Sequence, residues 1–428
     1  KFIYLKRNIS PLEHQKIIDL GEIHLKFEDH KKRLYPYKNN TSHIVGFVNI
    51  DQNGQTGIER FYDKSLLSSS DVHLSIDINL QQSIRSNLID TVKYYHAESG
   101  LALVLDISTG EVLSSVSYPD FNPNNKNLNN DNLINRVIQS NYEMGSTFKP
   151  ITVAMGIDKD IISPETFFDV SKPIKGMIHD FHPYKGKLNV KDIVVQSSNI
   201  GTARLAAKIG GTRQREFLER LGLLDLTGIE LPEASRAKPQ VPKKWSKLST
   251  ATISYGHGIA ITPLQAAVTY GALVNGGKII KPTIIKTNEY KLNKQIISSE
   301  TSKKLNIILR KVVTEKEGTA SLANIYGYNV GGKTGTSQQY GKKNENLNTF
   351  ISVFPSNKPK YTLLVMLENP KIAKELIYNY RGLKIKGTRN EAGWNSVYTA
   401  GKIIKKIGPI LAINNEEFYN KHVAKKSN

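Results

Sequence analysis

Three short polar clusters constrain this chain more than anything else in it: Ser146-Thr-Phe-Lys149, Ser197-Ser-Asn199 and Lys333-Thr334-Gly335-Thr336. Gly145 frees the backbone to turn, and the residues after it read as the first turn of a helix, where positions i and i+3 share a face. That spacing puts the Ser146 hydroxyl, a candidate nucleophile, beside the Lys149 amine, a candidate base, at the positive end of the helix dipole. An isolated pair of this kind is more often a solvated helix face. A Lys-rich chain also supplies accidental matches such as Ser235-Arg-Ala-Lys238.

The other two clusters add what a lone pair lacks. Val190 to Gln196 runs into Ser197-Ser198-Asn199, and a helical pattern resumes at Ile200. A hydroxyl and an amide two apart at such a junction can point into one cavity, where Ser197 relays a proton and Asn199 orients a polar substrate group. An ordinary helix cap is the plainer use of the same residues. Tyr328 to Gly332 reads as a strand that ends in Lys333-Thr334-Gly335-Thr336. Edge-strand backbone, a cation, two hydroxyls and a glycine that admits a ligand closely make a docking rail for an extended, anionic substrate. One cluster is noise, whereas the ordered trio demands a fold that brings three distant segments into a single cleft.

Composition narrows the chemistry. The 428 residues suffice for a large core plus an accessory module. Cysteine is absent, which excludes disulfides, thiolate metal sites and a Cys nucleophile. Lys and Arg number 59 against 38 Asp and Glu, a net charge of +21 that attracts polyanions. The lysines are spread along the chain without an Arg-rich arm or nucleic-acid motif, so nucleic acid is not an expected partner. No cofactor or metal is expected, since His179-Asp-Phe-His182 offers two imidazoles without a third ligand. No apolar run approaches the roughly 18 residues of a membrane span. No signal peptide leads the chain. Because it begins at Lys1 rather than Met, the expectation is that a membrane anchor has been removed.

Two domains are expected. Residues 1–71 read as a non-catalytic module, with a helix start at Ser10-Pro11-Leu12-Glu13, strand and turn signals over 44–49 and 53–59, and Arg33 and Glu59 as candidates to pair. Residues 72–428 begin with an alternating segment at 71–77, a helix over 80–95 and a hairpin of 101–106 with 111–117. An Asn-rich surface loop over 119–142 follows. Helices are expected over 147–159, 262–275, 299–314 and 396–407, and a second hairpin joins 350–354 to 361–367. The fold class is α+β, a mainly antiparallel sheet with helices on both faces.

With Ser146-x-x-Lys149, Ser197-x-Asn199 and Lys333-Thr334-Gly335 in this order, the chain resembles the penicillin-binding proteins and serine β-lactamases. Arg33-x-Tyr-Pro36, Gly57-Ile-Glu59, Ser75-Ile-Asp77, Thr109-Gly110-Glu111 and Gly256-x-Gly258-x-x-x-Thr262-Pro263 narrow the likeness. It is closest in kind to class B penicillin-binding proteins, in particular the septal peptidoglycan D,D-transpeptidases of cell division. Ser198 stands where the motif set has Asp, Met144 where the family usually has Pro, and the link from Asp63 to Asp71 is short.

The resemblance implies acyl transfer. Ser146 attacks the D-Ala-D-Ala carbonyl of a stem peptide, D-Ala leaves, and an amine from a neighbouring strand resolves the acyl-enzyme into a cross-link; β-lactams acylate the same serine. Lys149 is implied as the base, which requires its usual pKa of about 10.4 to fall by several units through burial and a neighbouring cation. Ser197 and Lys333 relay the proton to the leaving amine. Backbone N–H groups of Ser146 and Thr336 form the oxyanion hole, the Thr334 and Thr336 hydroxyls hold the substrate carboxylate beside Gly335, and Asn199 holds its amide. Implied partners are peptidoglycan stem peptides, a membrane glycosyltransferase and other divisome proteins. The implied place is the bacterial inner membrane, with the catalytic domain on the periplasmic side of an elongated N-terminal pedestal. Two alternatives share the trio. A serine β-lactamase needs a base for deacylation that no motif places here, and a penicillin-binding sensor or divisome scaffold would bind without turnover.

Overall fold

Leu101 to Leu105 and Leu363 to Leu367 are apolar at every position, so the strands they form must be covered on both faces. The structure, a computed structural model, describes residues 3–30, 32–125, 130–174, 177–287, 294–338 and 346–424, the side chains of 338 and 415–424 excepted. It sets these runs side by side in a five-stranded antiparallel sheet. The strands are β1 (Ser99–Asp106), β2 (Val112–Tyr118), β3 (Gly331–Gln338), β4 (Asn346–Phe354) and β5 (Tyr361–Glu368), in the spatial order β2-β1-β5-β4-β3. β3 is therefore an edge, and the apolar β1 and β5 lie inside.

Six helices matter for the site: α1 (Ile78–Tyr94), α2 (Lys149–Asp158), α3 (Asn199–Ile209), α4 (Pro263–Val274), α5 (Ser299–Thr314) and α6 (Ser396–Ala424). Their starts are written locally. The Asp77 carboxylate accepts from the amides of Asn79 and Leu80 at the head of α1. Thr262 and Gln265 cap each other at the head of α4, with Pro263 as its first residue. Ser298 accepts from Thr301 N before α5. α1 and α6 pack together on one face of the sheet, α4 and α5 cover the other, and α2 lies between α3 and α5. The expected layering is found.

Four local expectations are corrected. The strand expected to end at Gly332 instead runs Gly331–Gln338, carrying the Lys-Thr-Gly-Thr cluster in its middle. It pairs with β4 without a break, from Gly331 opposite Val353 to Gln338 opposite Asn346, so the partner's backbone overrides the cluster's polarity. Residues 44–49 form no strand: Ser42–Val45 is a helical turn, and Val48 makes a single bridge to Gly54. The stretch 119–142 is more than a surface loop, because Arg136–Gln139 is helical with Val137 and Ile138 buried, and Asn135 Nδ2 donates to His43 O at 3.2 Å. Within it, 126–129 lie outside the described residues. Finally, α6 continues past residue 407 to Ala424.

The N-terminal segment is held by polar contacts within itself and to the rest of the chain. Ser10 and Glu13 cap the helix Pro11–Asp19 reciprocally. Arg33 Nε reaches Glu59 Oε1 at 2.7 Å, with Glu59 buried. Gly57 N donates to Glu233 Oε1 at 2.9 Å, and Gln81 Nε2 to Asn40 O at 2.8 Å.

Candidate active site

Ser146 lies in a 3-10 turn, Gly145–Phe148, that feeds α2 directly. The turn, tighter than the α-helical start expected, is held from three sides. Gly145 N donates to Gly256 O at 3.2 Å, Tyr270 OH donates to Thr147 O at 2.7 Å, and Ser337 Oγ of β3 donates to Glu143 O at 2.8 Å. Gly256 has φ +83°, and a Cβ there would stand 2.2 Å from Gly145 O, so this crossing admits only glycine.

The turn leaves Ser146 partly exposed and Lys149 wholly buried. Lys149 Nζ is 2.8 Å from Ser146 Oγ, 2.7 Å from Ser197 O and 3.0 Å from Ser197 Oγ. Lys333 Nζ, also buried, is 3.0 Å from the same Ser197 Oγ and 3.1 Å from Thr334 O. One hydroxyl thus bridges two amines, and all three sequence clusters meet. Ser197 holds a left-handed φ of +67°, a cost that the surrounding bonds impose on a residue between two helices. The accidental match, Ser235 and Lys238, is exposed, and Ser235 Oγ merely closes on Pro232 O at 2.7 Å.

Two ammonium groups around one hydroxyl out of water cannot both remain charged. Burial pulls Lys149 well below the usual lysine range, the Lys333 cation adds to this, and Asp180 opposes both. Burial brings Lys333 down to about 7. A neutral Lys149 has a lone pair for the Ser146 proton; a charged Lys333 draws an anionic substrate. Acylation is then expected to fall as acid protonates Lys149 and to fall again above about 7 as Lys333 loses its charge. A pH profile of penicillin acylation checks this. In Lys333→Arg, whose guanidinium stays charged, the alkaline limb should vanish and the acid limb persist.

Along β3, Gly335 serves a purpose other than the one expected. A Cβ there would lie 2.6 Å from Met144 O and 2.9 Å from Thr147 Cγ2, so the glycine lets the strand pass the Ser146 turn rather than admitting a ligand. Thr334 Oγ1 and Thr319 Oγ1 are 2.7 Å apart, and Thr336 Oγ1 accepts from Ala392 N at 3.2 Å. Among the described residues no acceptor takes the Thr336 hydroxyl proton. A Cβ on Gly145 would come within 3.4 Å of Thr336 O, which brings Ser146 and Thr336 to one corner of the cleft.

Asp180 is the functional residue that sequence reasoning missed. Its carboxylate accepts from Ser198 Oγ at 2.8 Å, from Ile200 N at 3.1 Å and from Asn199 N, while Asn199 Nδ2 donates to His179 O at 2.9 Å. Ser198 Oγ in turn accepts from Gly201 N at 2.9 Å. An acidic group at the head of α3 suits the dipole, and here it arrives from another segment. The signal was Ser198 standing where the motif set has Asp, which leaves the helix start short of a carboxylate. Asp180→Ala is expected to cost about 2 kcal/mol, the order for losing charged hydrogen bonds at a helix start, and to slow acylation, because the Ser198-Asn199 turn loses the carboxylate that orders it. Asp180→Asn should recover part of both, read by thermal unfolding and penicillin acylation rates.

The sequence profile described as penicillin binding protein transpeptidase domain matches residues 100–388. The probable peptidoglycan D,D-transpeptidase FtsI of Caulobacter vibrioides (strain NA1000 / CB15N) is 32% identical over 432 residues, 95% of this chain and 70% of that one. Peptidoglycan D,D-transpeptidase FtsI of Escherichia coli (strain K12) is 30% identical over 410 residues, 87% of this chain and 69% of that one. Among solved structures, a putative peptidoglycan glycosyltransferase from Atopobium parvulum DSM 20469 superposes with a TM-score of 0.76 at 26% identity, covering 88% of this chain and 92% of that chain. The apo TP domain of Burkholderia pseudomallei penicillin-binding protein 3 gives 0.67 at 28% identity, covering 79% and 96%.

Proposed function

This chain belongs to the penicillin-binding protein transpeptidase family, and from that premise we propose how its cleft performs, at the septum, the peptidoglycan D,D-transpeptidation its relatives are named for. The carrying observation is Ser197 Oγ at 3.0 Å from both Lys149 Nζ and Lys333 Nζ, with Ser146 Oγ 2.8 Å from the first. Lys149, neutral, takes the Ser146 proton as Oγ bonds to the penultimate D-Ala carbonyl carbon. The N–H groups of Ser146 and Thr336 stabilise the resulting oxyanion, each worth on the order of 3 kcal/mol. Collapse breaks the C–N bond, and the proton passes through Ser197, assisted by Lys333, to the departing D-Ala amine. An acceptor amine then attacks the ester, gives up a proton along the same path, and frees Ser146. The Thr334 and Thr336 hydroxyls and Lys333 hold the terminal carboxylate, Asn199 the amide, and Gly335 keeps the strand against the turn. A β-lactam enters at the first step and stays as an ester.

We also propose residues 1–71 as a non-catalytic pedestal and 72–428 as the catalytic domain. A membrane glycosyltransferase and other divisome proteins are the proposed partners, on the periplasmic side of the inner membrane; no described helix is long and apolar enough to cross a membrane. A donor peptide ending in D-Ala-D-Ala, incubated with a D-amino acid as acceptor, tests the reaction. The expected product carries the acceptor in place of the terminal D-Ala, and benzylpenicillin blocks it. Rapid release of hydrolysed penicillin instead would make the protein a β-lactamase.

A further inference from the structure

At the far end of the sheet from Ser146, α5 turns a second face to solvent. Counted from Ser299, the residues Ser302, Lys303, Asn306, Ile307 and Arg310 fall three, four, seven, eight and eleven positions on, one continuous stripe about 16 Å long in which Ser302 alone is buried. The stripe walls a groove of about 1070 Å³. The opposite walls are the β1–β2 turn at Ile107, the end of α4 from Val274 to Lys278, and the β4–β5 turn from Ser356 to Pro359. The groove meets β3 at Asn329, before Gly331, and Gly331 is about 13 Å along the strand from Gly335. A molecule seated there leaves the cleft open.

The lining combines two chemistries. Lys278, Lys303, Arg310 and Lys358 contribute four cations, and among the described residues no Asp or Glu lines the groove. The nearest carboxylates in sequence are engaged: Asp106 accepts from Ser108 N at 2.8 Å, and Glu300 pairs with Lys304 at 2.7 Å. Among the described residues no ion pair involves Lys278, Lys303 or Lys358. Between these charges Ile307, 58% exposed in mid-helix, and the partly exposed Pro359 face solvent, over a floor in which Ile107 and Val274 are buried. A polyphosphate or a lipid headgroup would satisfy the cations and leave Ile307 and Pro359 wet. A peptide with acidic and apolar side chains satisfies both. We propose that this groove docks an acidic, amphipathic segment of a partner protein. Arg310 also donates to Val330 O at 2.6 Å, so the docked segment bears on the residue just ahead of the strand that carries Lys333.

The probe is a fluorescein-labelled 14-residue peptide of Glu and Leu in helical amphipathic spacing, titrated with the full chain by anisotropy at physiological salt. Lys303→Glu with Lys358→Glu should weaken binding at least tenfold. The charge-matched pair Lys243→Glu with Lys244→Glu, on exposed positions elsewhere, should leave it within twofold. Retained penicillin labelling shows that each variant is folded. The chain has no cysteine, so Ile307→Cys carrying a photoreactive maleimide should capture the peptide, and Leu226→Cys should not. Equal weakening in both double variants would mean a diffuse cationic surface and overturn the proposal. So would an all-Glu peptide that binds as tightly, or phosphatidylglycerol vesicles whose binding needs Lys303 and Lys358 and resists competition by the peptide.

Discussion

Replacing Ser146 by Ala should abolish covalent penicillin labelling and cross-linking, slowing acylation by about 10⁴- to 10⁶-fold, the scale on which loss of a catalytic nucleophile is felt. The expectation rests on position. The Ser146 hydroxyl stands 2.8 Å from Lys149 Nζ at the cleft's partly exposed corner, with Lys149 as the amine it meets. Ser197 Oγ also meets Lys149, but Lys333 holds it from the other side. The variant should unfold within a degree or two of the wild type, because Ser146 is partly exposed and its turn is held through Gly145, Thr147 and Glu143. Stopped-flow acylation with a fluorescent penicillin, beside a thermal melt, separates loss of chemistry from loss of fold.

Lys149→Met should reduce acylation by about 10³-fold, within the range for removing a general base, while the protein becomes as stable as the wild type or more so. A lysine amine with no exposure and a pKa held far below its usual range is there at the expense of stability. An apolar side chain of similar length removes that desolvation cost, although Ser197 O loses a donor 2.7 Å away. Lys149→Arg separates charge from basicity. Its guanidinium keeps a cation near Ser197 but cannot give up a proton, so it should not rescue the rate. A variant that lost stability and activity together would mark Lys149 as a structural prop instead.

Much of this was legible in the sequence because it is local. A capping box at Thr262 and Gln265, unbroken apolar runs at Leu101 and Leu363, and three polar clusters at element junctions each declare themselves within a few residues. What stayed hidden is supplied across the chain. Asp180 reaches the second cluster, and Thr319 and Ala392 the third, from segments with no pattern of their own. β3 was cut short because Lys333, Thr334 and Thr336 do not look like strand residues until β4 lies beside them. Gly335 was credited to a ligand because its crowding neighbours, Met144 and Thr147, are far off in sequence. The site's electrostatics were foreseen in outline, a lysine silenced by burial and by a second lysine, but not the carboxylate that opposes them.

The most direct measurement is to trap the protein with a penicillin, digest it and locate the added mass by peptide sequencing. The ester is expected on Ser146 alone, with Lys149→Met giving the same site at a greatly reduced rate. An adduct on any other residue, or labelling that survives Ser146→Ala, would contradict the assignment of this cleft.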